Sequence, residues 1–139
     1  IKSMNDKIKK DLIFPKGEKA SNQVFVWDAR VQTLVPWDNG FNCPIYNVTF
    51  EPWARNNWHK HPWWQILLIT EGKWYYQEKG EKAQVIKKWD IVLIKPDVEH
   101  WHGASEDSQL IHLAISTNID KWIVEWWKPV VDEEYNNLD

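Results

Sequence analysis

Hydrophobic and polar positions alternate with period two along most of the chain. Tyr46, Val48 and Phe50 alternate with Asn47 and Thr49, the pattern of a strand with one buried face. Glu51-Pro52 ends that run. Gln65 to Thr70 is short, apolar and rich in β-branched residues, and Glu71-Gly72 reads as its turn. Trp74 to Gln77 follows, closed by Lys79-Gly80-Glu81. Ala83 to Ile86, Ile91 to Ile94 and Leu110 to Ile115 keep the rhythm, and Val24, Val26, Val31 and Leu34 open it. Short strands with turns at short intervals predict an all-β sandwich or barrel over residues 23–117. Residues 1–22 read as a polar lead-in with Phe14-Pro15-Lys16-Gly17 as a turn. Residues 118–139 read as a C-terminal tail. Within it a short helix is expected over 119–127, and Asp132, Glu133 and Glu134 are expected to be solvated.

Composition narrows the function classes. A chain of 139 residues suits one domain able to bury a core without disulfides. Its net charge of −3 makes no case for nucleic acid or for an anionic membrane. The early lysines (Lys7, Lys9, Lys10, Lys16, Lys19) are broken up by acids. No apolar run is long enough to span a bilayer, and no secretory h-region is evident. Cys43 is the single cysteine, which excludes an internal disulfide and fits a reducing cytoplasm. No DNA-binding segment is visible, which argues against a transcription regulator.

Four of the five histidines form two pairs, His59-Lys60-His61 and His100-Trp101-His102. On a strand, residues i and i+2 share a face, so each pair can aim two imidazoles into one cavity. One such pair is often a surface feature. Two pairs, each next to an expected strand, point to a shared metal. By the same alternation Trp58 and Trp101 should face away from the cavity. His112 falls on the cavity-facing register with Leu110 and Ala114. Tyr46 and Val48 are expected in the pocket wall, and Arg55 and Glu99 at the surface or rim.

The spacing around these pairs is specific. From Trp53 there are five residues to His59, one to His61, three to Gln65 and six to Gly72. This resembles the first motif of the cupin family, G(X)5HXH(X)3–4E(X)6G. The stretch from Trp89 resembles the second, G(X)5PXG(X)2H(X)3N, with His100 on its histidine. Trp53 and Trp89 stand on motif glycines, Gln65 on the usual Glu ligand, Lys95 on the Pro, Asp97 on the second Gly and Ala104 on the Asn. The resemblance implies a double-stranded β-helix, a jelly-roll barrel, holding one divalent transition metal with His59, His61, Gln65 and His100. Manganese is the first expectation, with iron, nickel, cobalt or zinc as alternatives. A neutral Gln ligand leaves the full +2 charge on the ion, which makes it a stronger Lewis acid than a Glu-ligated one.

The stretches FEP-ARNNWHKHP--QILLITEG and EHWHGA are similar to small bacterial cupins that include the manganese-dependent (R)-hydroxynitrile lyases. They are also similar to cupins associated with carboxymuconolactone decarboxylase-like domains. That resemblance implies a lyase acting on a small-molecule substrate, with His102 as acid–base catalyst and a homodimeric assembly. Its pocket glutamine falls on Ser116, a departure from the lyase pattern. A metal-dependent dioxygenase and a non-catalytic small-molecule-binding module are the competing readings, and His102 could equally support a ligand or a carbonyl.

The chain holds 12 Trp and only 5 Gly, an odd balance for a turn-rich barrel. The resemblance to the cupin pattern implies glycine at Trp53, Trp63, Trp64, Trp74 and Trp89, and further at Trp27, Trp37, Trp122 and Trp127. A UGA codon that means glycine in its source but is read as tryptophan would produce this one-way exchange. The preponderance of Lys over Arg, 15 to 2, fits an AT-rich gene. If the chain is instead a genuinely Trp-rich cupin, strained or exposed indoles are expected at 53 and 89. Trp63 or Trp64 should then narrow the pocket mouth.

Overall fold

The structure, a computed structural model, describes residues 12–38, 40–119 and 124–138. Among the described residues, period-two patterning becomes twelve strands, followed by one short helix near the C-terminus. The strands are β1 (Glu18–Lys19), β2 (Phe25–Val26), β3 (Ala29–Val35), β4 (Ile45–Phe50), β5 (Arg55–Asn56) and β6 (His59–Lys60). They continue as β7 (Gln65–Glu78), β8 (Gln84–Lys87), β9 (Ile91–Ile94), β10 (His100–His102), β11 (Leu110–Ser116) and β12 (Glu125–Trp126), followed by α1 (Asp132–Asn136).

The long strand β7 organises the barrel. Its first half lies between β11 and β9, and its second half pairs with β8 and β10. One sheet therefore runs β1-β3-β4-β11-β7-β9, and the other continues through β10 and β6 to β12. Expected as a turn, Gly72 is instead the bend inside this strand, at φ 82°. A Cβ there would stand 1.7 Å from the Gln109 carbonyl oxygen, so the two backbones can approach this closely only at glycine. A bulge between Ile111 and His112 accommodates the bend on the partner strand.

Alternation sets which residues fill the interior. Val48 and Phe50 of β4, Leu67 and Ile69 of β7, Val92 and Ile94 of β9, and Leu110 and Ala114 of β11 form the core. Each large apolar side chain buried in this way contributes roughly 1.5–3 kcal/mol. A second cluster lies outside the barrel wall. There Trp58 and Trp101, both facing away from the cavity as alternation requires, pack with Val130 and Tyr135.

That cluster changes the reading of the tail and of Arg55. Arg55 is neither surface nor rim; it is 1% exposed. Its Nε and Nη2 donate to the Val130 carbonyl, Nη2 also donates to Asp132, and the guanidinium lies 4.6 Å from the Tyr135 ring centre. The acidic side chain of Asp132 is exposed, yet its segment is pinned to the barrel. The Tyr135 hydroxyl donates to the Ala104 carbonyl at 2.6 Å. In the stretch read as a helix, residues 120–123 lie outside the described residues and Glu125–Trp126 is a strand paired with β6. The lead-in contributes β1, paired with β3. No helix among the described residues is long and apolar enough to cross a membrane.

Candidate metal centre

The two histidine pairs meet because β10 and β6 are antiparallel neighbours with His100 opposite His59. His59, His61 and His100 are buried, and their ligand atoms lie within 4.8 Å of one another. Each ring is oriented the same way. Nδ1 of His59 donates to the Asn57 carbonyl at 2.8 Å, that of His61 to the Trp63 carbonyl at 3.0 Å, and that of His100 to the Val98 carbonyl at 2.8 Å. A carbonyl oxygen only accepts, so Nδ1 carries the proton and Nε2 keeps its lone pair. The Nε2 atoms of His61 and His100 are buried and have no hydrogen-bond partner. Buried acceptors without partners are costly, and a cation held between them removes the cost.

Electrostatics keep the rings in ligand form. Burial pushes His59 down to about 3, helped by the neighbouring His61 and opposed by its carbonyl bond. Burial also holds His61 below its ordinary value and His100 well below it. Neutral imidazoles suit Mn, Fe, Co, Ni and Zn alike. The donor chemistry thus fits a divalent transition ion.

Gln65 opens β7 and lines the same pocket. Its Nε2 donates to Ser116 Oγ at 3.2 Å, which directs the amide, and its side chain also interacts with His61. Ser116, the position where the resemblance places a pocket glutamine, is a buried support for Gln65.

His102 shares the interior with these rings, 6.2 Å centre to centre from both His59 and His100. Asn56 holds it. The Asn56 Oδ1 accepts from the His102 backbone N–H at 3.0 Å, which turns the amide nitrogen toward His102 Nε2 at 3.2 Å. The amide donates there, so the His102 proton sits on Nδ1, which is buried without a partner. His112 meets His102 edge to face at 4.8 Å, and both of its ring nitrogens are buried without partners. Burial lowers both residues, His112 to about 4.

Asn56 is the functional residue that sequence reasoning missed. Its signal is weak, because the bond joins residues 46 apart in sequence and no spacing rule links them.

The cavity in front of these groups has a volume of about 180 Å³. Tyr46, Val48, Phe50 and Ala114 make an apolar wall. Trp63 stacks on His61 at 4.9 Å and 12°, and Trp126 stacks on His59 at 4.6 Å and 26°.

A model of the AraC-like ligand binding domain family matches residues 47–134. The chain belongs to this cupin-type family. The domain is 42% identical over 89 residues to (R)-mandelonitrile lyase from Granulicella tundricola, a match covering 64% of this chain and 68% of that protein. Among solved structures it is similar to a cupin-like protein from Thermotoga maritima, with 46% identity and a TM-score of 0.89 over 92% of this chain and 97% of the other. A cupin 2 conserved barrel protein from Rhodopseudomonas palustris shares the fold at 17% identity, with a TM-score of 0.67 over 80% of this cupin and 74% of the other.

Proposed function

We propose that this cupin is a metal-dependent lyase acting on a small organic molecule, with His59, His61, His100 and Gln65 holding one divalent ion, manganese first. The observation that carries the reading is the set of three imidazoles, each with Nδ1 tied to a carbonyl and Nε2 turned toward the others. The 42% identity to a protein named (R)-mandelonitrile lyase points to hydroxynitriles as the first substrates to try.

In hydroxynitrile cleavage the hydroxyl loses its proton, the C–CN bond breaks with its electron pair on cyanide, and cyanide takes up a proton. A bound divalent ion would supply Lewis acidity to the hydroxyl oxygen. His102 is the pocket imidazole that would carry the proton from the hydroxyl to the departing cyanide; Nδ1 is its unpartnered side, because the Asn56 amide occupies Nε2. The apolar wall at Tyr46, Val48 and Phe50 packs the organic part of the substrate and excludes water.

The test is release of aldehyde and cyanide from racemic mandelonitrile by the manganese-loaded protein, set against His102→Ala. Release from one enantiomer, lost in the variant, supports the reading. Metal-dependent oxygen uptake with a substrate panel would favour a dioxygenase. Affinity without turnover would favour a binding module, the sense of the family's description.

The same reading includes a cytoplasmic homodimer. Its support is the lone cysteine, and an outer face on β8 and β9 where Val85, Ile91 and Leu93 are each more than 60% exposed.

A further inference from the structure

Four of the five glycines adopt left-handed backbone, with φ between 77° and 90°. Three tryptophans share it: Trp27 at 64°, Trp53 at 74° and Trp89 at 80°. A side chain on an L-residue collides with its own peptide there, and Asn and Asp are the usual exceptions. The chain follows that rule at Asn42, Asp97 and Asn118. Among the described residues no Phe, Tyr, Leu, Ile or Val has positive φ, so the departure belongs to tryptophan alone.

Two of the three sites are turns with a defined requirement. The Ala54 N–H bonds to the Glu51 carbonyl, closing a turn with Pro52 second and Trp53 third. The Asp90 N–H bonds to the Lys87 carbonyl, closing another with Trp89 third. Positive φ at the third position alone defines a type II turn, whose third residue is characteristically glycine. Packing offers little against the strain: Trp27, Trp53 and Trp89 are 61%, 39% and 82% exposed, with the Tyr135 ring beside Trp53 and the Lys88 ammonium over Trp89.

We propose that residues 27, 53 and 89 are glycines in the cell, encoded by UGA in a source that reads UGA as glycine. The tryptophan written there is the meaning of UGA in a code that assigns it to tryptophan. One codon explains why the misplaced residue is always the same, and why Trp exceeds Gly. The resemblance to the cupin motifs implies the same exchange at Trp37, Trp63, Trp64, Trp74, Trp122 and Trp127, where no described residue has positive φ.

Position 63 gives the exchange a functional consequence. The Trp63 indole lies flat on His61 and lines the cavity. With glycine there, the cavity widens on the His61 side by the space of a flat bicyclic ring. The encoded protein therefore accepts a substrate carrying a ring-sized apolar group on that face.

Gene sequencing with peptide mass mapping of the chain from its source is the direct test. UGA codons and glycine masses at 27, 53, 63 and 89 are expected. UGG codons, or indole masses at those positions, overturn the proposal. A recombinant comparison tests the physics separately. The triple variant W27G/W53G/W89G should raise the folding equilibrium constant by roughly tenfold per site, and no gain overturns the turn argument. For the pocket, free indole should raise the melting temperature of W63G and leave that of the protein with Trp63 unchanged. Equal shifts overturn the widened cavity.

Discussion

His112 carries two unpartnered ring nitrogens in a buried wall of the pocket, and that makes it a pH-sensitive residue. Its folded value is pushed down to about 4, while the unfolded chain titrates near 6.5. The unfolded state therefore binds a proton first as pH falls. The stabilisation it gives is complete above 6.5 and is lost as pH drops through 4. The span corresponds to about 3 kcal/mol. His112→Phe should flatten the part of the stability–pH curve between 6.5 and 4 that belongs to this residue, read by urea unfolding at several pH values. An unchanged slope would show that His112 is solvated. At the neighbouring residue, Asn56→Leu should free the His102 tautomer. The expected result is a shifted acid limb in the pH–rate profile of the metal-loaded protein, with metal content unchanged.

At the scale of elements, two long-range ties shape the site. Arg55, leaving β5, reaches Val130 and Asp132 across 75 or more residues and seats the tail against Trp58 and Trp101. Arg55→Met should cost about 3 kcal/mol, because charge-assisted bonds in a buried setting are lost. Asp132→Asn should cost about 1 kcal/mol or less, because that carboxylate is 71% exposed. Chemical denaturation of both variants checks the ratio.

These ties also mark how far the sequence could be read. Period two placed Tyr46, Val48 and Phe50 on one face, and put His100 and His102 inside with Trp101 outside, because a strand's alternation is local. The convergence of His59, His61 and His100 was legible from two i, i+2 pairs. Arg55 was misread because an isolated charge looks solvated until a distant carbonyl is folded onto it; the acids of the tail are exposed as expected, but the packing of Val130 and Tyr135 beside them had no local signal. Gly72 was misread as a turn because the same left-handed conformation serves a bend inside one continuous strand.

Over the whole molecule, a half-barrel with an apolar outer face on β8 and β9 should pair with a second copy. Light scattering is expected to give twice the chain mass, and Ile91→Lys with Leu93→Lys should return a monomer. A concentration-independent monomer in the unaltered chain would contradict the pairing. A metal held by the buried imidazoles would tie the stability of the whole fold to its concentration, because an ion bound only by the folded state stabilises it by mass action. The most direct test of the central claim is elemental analysis of the protein purified without a metal-binding tag, alongside His59→Ala, His61→Ala and His100→Ala. One divalent transition ion per chain, absent from each folded variant, is the expected result. An unaltered chain that takes up no ion when supplied with manganese, iron, cobalt, nickel or zinc, or variants that keep theirs, would contradict the account.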